Sequence, residues 1–263
     1  MTDDTLLHLK GRFPFRLGTT SYILPEGILP NLRFLGPHLD EVELVLFESQ
    51  GEDNLPSPED TGVMARLGRE MDLTFNVHLP TDLYLGSEDF GERRQACETL
   101  LRFYERTLPL NPTAYILHFE RQATDGSEIS ELAAWRRRLR SSLELLLEGG
   151  LRPDLCALEN LSYPFPWVDI LAEEYGLNVC LDVGHLLQQD ADPTFFFNRY
   201  AGRIAMVHLH GVRGRDHQAL TEIPHREWLA IADFLRTYGG GVSLEVFSLA
   251  DLRVSLEKMA EIG

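Results

Sequence analysis

Eight short apolar runs punctuate the chain: Phe15–Tyr22, Glu41–Glu48, Thr74–Pro80, Ala114–Glu120, Leu155–Leu161, Val179–His185, Ile204–Gly211 and Val242–Phe247. Continuous runs of this length, rich in Val, Ile, Leu and Phe, predict parallel strands buried on both faces. Helical spacing fills most of the intervals. Ser57-Pro58 reads as an N-cap followed by proline at N1, and Met64, Leu67 and Met71 then recur on one face. Cys97, Leu100, Leu101, Tyr104 and Leu108 form a second stripe, and Leu139, Leu143 and Leu146 a third. Ser248 is placed to cap a last helix running through Leu252, Leu256 and Met259. Pro25, Pro30 and Pro37 leave room for only a short helix in the first crossover.

Strand–helix alternation with a mean period of roughly 33 residues predicts a (β/α)8 barrel occupying residues 1–263 as one domain. The competing open, doubly wound sheet is disfavoured because neither a GxGxxG nor a P-loop follows the first run. Gln122–Ser130 and the segment after His210 read as surface loops.

Polar residues then change the picture. A strand buried on both faces has little use for charge, yet six runs carry potential ligands near their C-terminal ends. They read Val77-His78, Leu117-His118-Phe119-Glu120, Leu158-Glu159-Asn160, Asp182-Val183-Gly184-His185, His208-Leu209-His210 and Leu244-Glu245. The two-residue repeat of a strand puts His208 and His210 on one face, with either able to ligate. In a barrel these positions converge at the C-terminal mouth, where active sites of the fold sit. Six of the nine histidines, His78, His118, His185, His208, His210 and His217, fall at or just beyond a run's end. His8, His38 and His225 do not and read as structural or surface residues.

Converging carboxylates repel one another and resist burial unless a cation compensates them. Imidazole and carboxylate donors without thiolate suit Zn, Mn or Fe(II). The donors outnumber what one ion needs and predict two or three divalent ions, with Glu159 as a bridging carboxylate. Multi-metal sites activate water and clamp the attacking and leaving oxygens of phosphoryl esters.

Charge and cysteine content narrow the partners. A formal net charge of −17 opposes nucleic-acid binding, which needs a basic footprint. The densest basic cluster, Arg136, Arg137, Arg138 and Arg140, reads as a solvated outer helix face. A hydrophobic fraction of 44% supports a large core, and no stretch is apolar enough to span a membrane. Met1–Arg16 lacks the apolar segment of a signal peptide. Cys97, Cys156 and Cys180 are too scattered for a disulfide framework, and Cys180 reads as a buried inert thiol. Together these features predict a cytoplasmic protein.

The order His, His, Glu, Asp-x-x-His, His, then a later His and Glu, resembles that of the xylose-isomerase-like barrels, and within them the zinc-dependent abasic-site endonuclease branch. Single-metal sugar isomerases and epimerases share the likeness only from the fifth run onward, through Glu159, Asp182, His185, a seventh-run histidine and Glu245. His217-Gln218-Ala219-Leu220 is similar to the loop histidine of the nuclease branch. That branch carries Asp two residues before this histidine, whereas here Arg215 holds the place and Asp216 is adjacent. A narrower likeness spans nearly the whole chain. Phe13–Tyr22, Glu43–Glu48, Asn54-Leu55-Pro56-Ser57 and His208-Leu209-His210-Gly211-Val212 resemble the cobamide-remodelling phosphodiesterases of the CbiR family.

This resemblance implies hydrolysis of a corrinoid phosphodiester to cobinamide phosphate and an α-riboside. It implies metal ligation by His78, His118, Glu159, Asp182, His185, His208 or His210, Asp216, His217 and Glu245. Glu159, Glu245 and His185 would be catalytic, and Glu48, Arg215 and Asn160 would contact substrate. A one-metal sugar isomerase or epimerase, an abasic-site nuclease and a non-catalytic metal- or corrinoid-binding module are the other readings.

Overall fold

A computed structural model describes residues 6–49, 55–122 and 129–262. Strands β1 (Arg16–Thr20), β2 (Glu41–Val45), β3 (Thr74–His78), β4 (Tyr115–Leu117), β5 (Cys156–Glu159), β6 (Asn178–Asp182), β7 (Ile204–Leu209) and β8 (Gly241–Leu244) pair in chain order, and β8 closes on β1. Every pairing is parallel, as a closed (β/α)8 barrel requires. The crossovers carry α1 (Ile28–Leu35), α2 (Pro58–Met71), α3 (Phe90–Thr107), α4 (Ile129–Glu148), α5 (Pro166–Tyr175), α6 (Val183–Gln188), α7 (Pro193–Tyr200), α8 (His225–Leu235) and α9 (Leu249–Met259). None of the described helices is long and apolar enough to cross a membrane.

Local sequence explains the helix starts. Ser57 accepts from the Asp60 amide and Ser248 from the Asp251 amide, so both expected caps form. Leu139, Leu143 and Leu146 bury against the barrel, as do Leu252, Leu256 and Met259. The first crossover is the expected short helix. Buried Asn31 organises the loop before it, accepting from the amides of Ile23 and Leu24 and donating to the carbonyls of Leu24, Glu26 and Gly27.

Several expectations need correction. Leu108 is 40% exposed, because α3 ends at Thr107 and the chain tightens into a 3-10 turn that rotates Leu108 off the stripe. Ile129 and Ser130 already belong to α4, while 123–128 of the expected loop lie outside the described residues, as does Asn54. The α4 arginines are not simply a solvated face. Arg136 donates to the carbonyls of Pro166 and Trp167, Arg138 to that of Gly86, and Arg140 pairs with Glu174. Only Arg137 among the four is exposed.

All strands are shorter than the apolar runs; His78, Glu159, Asp182 and His208 remain in the ladder, while His118, His210 and Glu245 lie just beyond it. The sixth run divides at Asp182, whose side chain caps α6 by accepting from the His185 amide at 2.7 Å. His185 is therefore a helical residue. The alternation of side chains along a strand then sets the layers of the barrel interior. Ile116, Ala157, Cys180 and Met206 form a small apolar cluster separate from the main core. Two residues further along the same faces stand His118, Glu159, Asp182 and His208. An apolar plug thus supports a polar layer at the mouth.

Replacing Asn31 with Ala should destabilise the protein by about 3 kcal/mol, because the buried Ile23 amide and the part-buried Leu24 amide lose their acceptor. Urea titration measures this, and a change below about 0.5 kcal/mol would assign the loop another anchor.

Candidate metal centre

The strand ends bring the expected ligands into one cluster. His78 closes β3, Glu159 closes β5, Asp182 closes β6 and His208 lies in β7, with His118, His210 and Glu245 immediately beyond their strands. Asp216 and His217 come from the loop after β7, which an antiparallel bridge between Gly211 and Gln218 folds back over the mouth. His217 holds a left-handed backbone, φ 52°, and its amide donates to His210 Nδ1 and Asp216 Oδ1.

Glu159 is the hub. Its Oε2 lies 2.9 Å from His118 Nε2, 3.3 Å from His78 Nε2 and 3.4 Å from His208 Nδ1. Its Oε1 lies 3.5 Å from His185 Nδ1. The two oxygens therefore address different groups, as a bridging carboxylate must. Beyond it, Asp182 Oδ1 is 3.2 Å from His210 Nε2, and Glu245 Oε2 is 3.2 Å from His208 Nδ1. Asp216 Oδ2 is 3.8 Å from His185 Nε2 and 4.0 Å from His217 Nε2. His208 and His210 both point inward but serve different neighbours. His208 belongs with Glu159 and Glu245, and His210 with Asp182.

The His118–Glu159 contact at 2.9 Å is a hydrogen-bond distance, but the separations of 3.3–3.5 Å around Glu159 suit ligands better than hydrogen bonds. Two donors each about 2.1 Å from one ion at a tetrahedral angle are about 3.4 Å apart. Sets of donors with mutual separations up to 4.8 Å include His78–His118–Glu159, Asp182–His185–His210 and His210–His217–Glu245. The ring nitrogens of His208 and the carboxylate oxygens of Glu43 are buried without a hydrogen-bond partner. Leaving such atoms unmatched is costly, and a divalent cation satisfies them. The donor set is nitrogen and oxygen, and burial pushes the Cys180 thiol well up, so it stays neutral. The residues fit Zn, Mn or Fe(II).

Electrostatics show the same imbalance. Burial alone would depress the His118 imidazole, but Glu159 and Glu120 outweigh it and push it up to about 10. Burial raises Glu159, yet His118 and His208 outweigh it and hold the carboxyl well below its usual range. Without a cation, protons on the histidines must do the neutralising.

Glu43 was not among the expected ligands. It is fully buried on β2 beside His208, and it joins His78, His208 and Glu245 in a further donor set. Burial pushes its carboxyl up to about 7. A sequence signal existed: Glu41 and Glu43 alternate in a strand buried on both faces, so both carboxylates share the interior side. Glu41 is satisfied by Arg16, Thr74, Asn76 and Thr113, whereas Glu43 is not.

The expected substrate contacts separate. Asn160 is buried, and its side-chain amide donates to the Asp182 carbonyl and accepts from the Asp182 amide. Glu48 and Arg215 are exposed in the loops after β2 and β7. Phe47 and Phe247, absent from the expected set, pack edge-on against His78 and His217.

This geometry defines a class: a closed (β/α)8 barrel with a candidate divalent-metal centre at its C-terminal mouth. No family model and no curated protein sequence matches the chain. Solved structures do. A D-tagatose 3-epimerase-like protein is 21% identical, with 94% of this chain and 97% of that one covered at a TM-score of 0.75. Endonuclease IV from Thermus thermophilus is 20% identical over 94% and 99%, with a TM-score of 0.70. The probable 3-DHS dehydratase AsbF of Bacillus anthracis is 16% identical over 94% and 99%, also at 0.70. These likenesses establish the fold.

Two measurements probe the centre. A Cβ on Gly184 would meet His210 Cε1 at 1.9 Å, so Gly184→Ala should displace that ring and lower metal content by elemental analysis. Retention of full content would mean His210 is not required. His118, raised from an ordinary 6.5 to about 10, gives the metal-free protein stability that is complete below pH 6.5 and lost as pH rises through 10. Melting temperature of chelated protein should fall across that window, and saturating metal should flatten the slope.

Proposed function

We propose that the protein is a divalent-metal-dependent phosphodiesterase that hydrolyses the nucleotide-loop phosphodiester of cobamides. One observation carries the hydrolytic reading. His78 and His118 form a donor set with Glu159 that is additional to Asp182, His185 and His210. A one-metal isomerase has no ligand role for that first pair. The choice of a corrinoid rests on the flanking motifs Phe13–Tyr22, Glu43–Glu48 and His208–Val212, not on the ligands.

In this reading His78, His118 and Glu159 would hold one ion, and Glu159, Asp182, His210 or His208, and Glu245 would hold a second. His185, Asp216 and His217 would hold a third ion or the substrate phosphate. Bound there, divalent ions supply Lewis acidity and lower the pKa of water to about 7. The chain's own residues do the rest. Glu159 would be shared by both donor sets. Glu245 and His185, on either side of it, orient water and phosphate. Arg215 meets the phosphate's charge from the loop, and Glu48 meets polar groups of the substrate at the rim. Water's oxygen bonds to phosphorus, the bond to the ribose oxygen breaks, and the riboside takes up the proton. Phosphate stays on the cobinamide side.

A one-metal sugar isomerase or epimerase is the second reading, favoured by the fold likeness to a D-tagatose 3-epimerase-like protein. Metal stoichiometry separates them: one tightly bound ion per chain supports the epimerase. Abasic-site cleavage is opposed by the net charge of −17.

Incubation of purified protein with a cobamide and Mn, Zn or Fe(II) should yield cobinamide phosphate by mass spectrometry. Glu159→Gln should abolish the product and reduce bound metal. Full activity with normal metal content in that variant would remove Glu159 from the centre.

A further inference from the structure

Glu120 follows β4 just beyond His118, outside every ligand set described above. The His118 ring lies between two carboxylates. Its Nε2 is 2.9 Å from Glu159 Oε2, and its Nδ1 is 2.8 Å from Glu120 Oε1. We propose that Glu120 is a positioning residue for the metal centre: its carboxylate accepts Nδ1–H of His118 and thereby presents Nε2, unprotonated, beside Glu159. The inference rests on the metal-binding reading of the cluster.

Comparison with the neighbouring histidines supports this role. His78 Nδ1 faces the Leu79 carbonyl at 3.0 Å, and His185 Nδ1 faces the Asn160 carbonyl at 3.0 Å. At His78 the backbone oxygen fixes which nitrogen carries the proton, whereas His185 Nδ1 also faces carboxylate oxygens of Asp182 and Glu159 at 3.4 and 3.5 Å. At His118 a side-chain carboxylate takes that place. An anionic acceptor also makes the imidazole a stronger donor than a neutral carbonyl does.

The segment holding Glu120 is built to keep it still. Tyr163 Oη donates to the Phe119 carbonyl at 2.9 Å. The Arg121 guanidinium sits 5.2 Å from the Trp135 ring and 5.0 Å from the Trp167 ring, a two-sided cation–π clamp formed by α4 and α5. Trp135 and Phe119 are buried, so these anchors resist rotation. Phe119 is therefore tied to the loop before α5 and Arg121 to α4 and α5, and the Glu120 carboxylate between them faces the His118 ring.

Zn(II) titration against a chromophoric chelator, and Co(II) absorption spectra, test this on wild type, Glu120→Gln and Glu120→Ala. Each variant should bind as many ions as wild type, with the weakest-bound or His118-dependent ion released about 10-fold more readily in Glu120→Gln and up to about 100-fold in Glu120→Ala. The Co(II) bands should shift while circular dichroism stays unchanged. Glu120→Gln is close to isosteric and carries the test should Glu120→Ala fail to fold. Unaltered affinity and spectra in Glu120→Gln and Glu120→Ala would overturn the inference while leaving the metal reading intact. Loss of one whole ion, with the rest unchanged, would overturn it by making Glu120 a direct ligand. Wild-type protein that binds no divalent ion would overturn the inference together with the reading beneath it.

Discussion

The mouth of this barrel is organised around a charge problem. Glu43, Glu159, Asp182 and Glu245 are buried within reach of one another, among imidazoles that also present lone pairs. Such a set is unstable when empty of positive charge, because desolvated carboxylates repel. Protons on His118, His208 and His210 are one solution, and the upward displacement of all three reflects it. A divalent cation is the other, and it matches donor separations near 3.4 Å that are long for hydrogen bonds. The rest of the architecture holds these groups together against that repulsion.

Two structural features do most of the holding. Beneath the cluster, Ile116, Ala157, Cys180 and Met206 fill the barrel interior, so the polar layer rests on a packed floor. Around it, uncharged groups bind the backbone and rings of the ligands. Asn160 ties β5 to β6 through the Asp182 peptide, and Gly184 leaves the space that the His210 ring occupies. Such groups set the geometry of the polar side chains they touch, and in a metal site that geometry governs selectivity and reactivity.

The fold also explains why one scaffold admits several chemistries. Its solved likenesses carry names as different as epimerase, endonuclease and dehydratase. Function in a barrel of this kind lies in the loops and strand ends rather than in the strands. Here the mouth gathers His78 and His118, the loop pair Asp216 and His217, and the aromatic rings of Phe47 and Phe247.

The barrel and most of the cluster were legible in the chain itself, since both depend on local periodicity. Apolar runs mark buried strands, and polar residues at their C-terminal ends mark the mouth, because the fold brings all such ends together. Ser57 and Ser248 were readable as caps for the same local reason. What the tertiary structure decided depends on contacts between distant segments. The two-residue repeat placed His208 and His210 on one face, but only packing gave His208 to Glu159 and Glu245, and His210 to Asp182. Likewise, no local pattern shows that the Asn160 amide meets the Asp182 peptide. Glu43 was hidden because β2 ends in no histidine, although its alternation with Glu41 was on view. Periodicity determines which face a residue occupies, while the partner it meets there is fixed only when eight strands close.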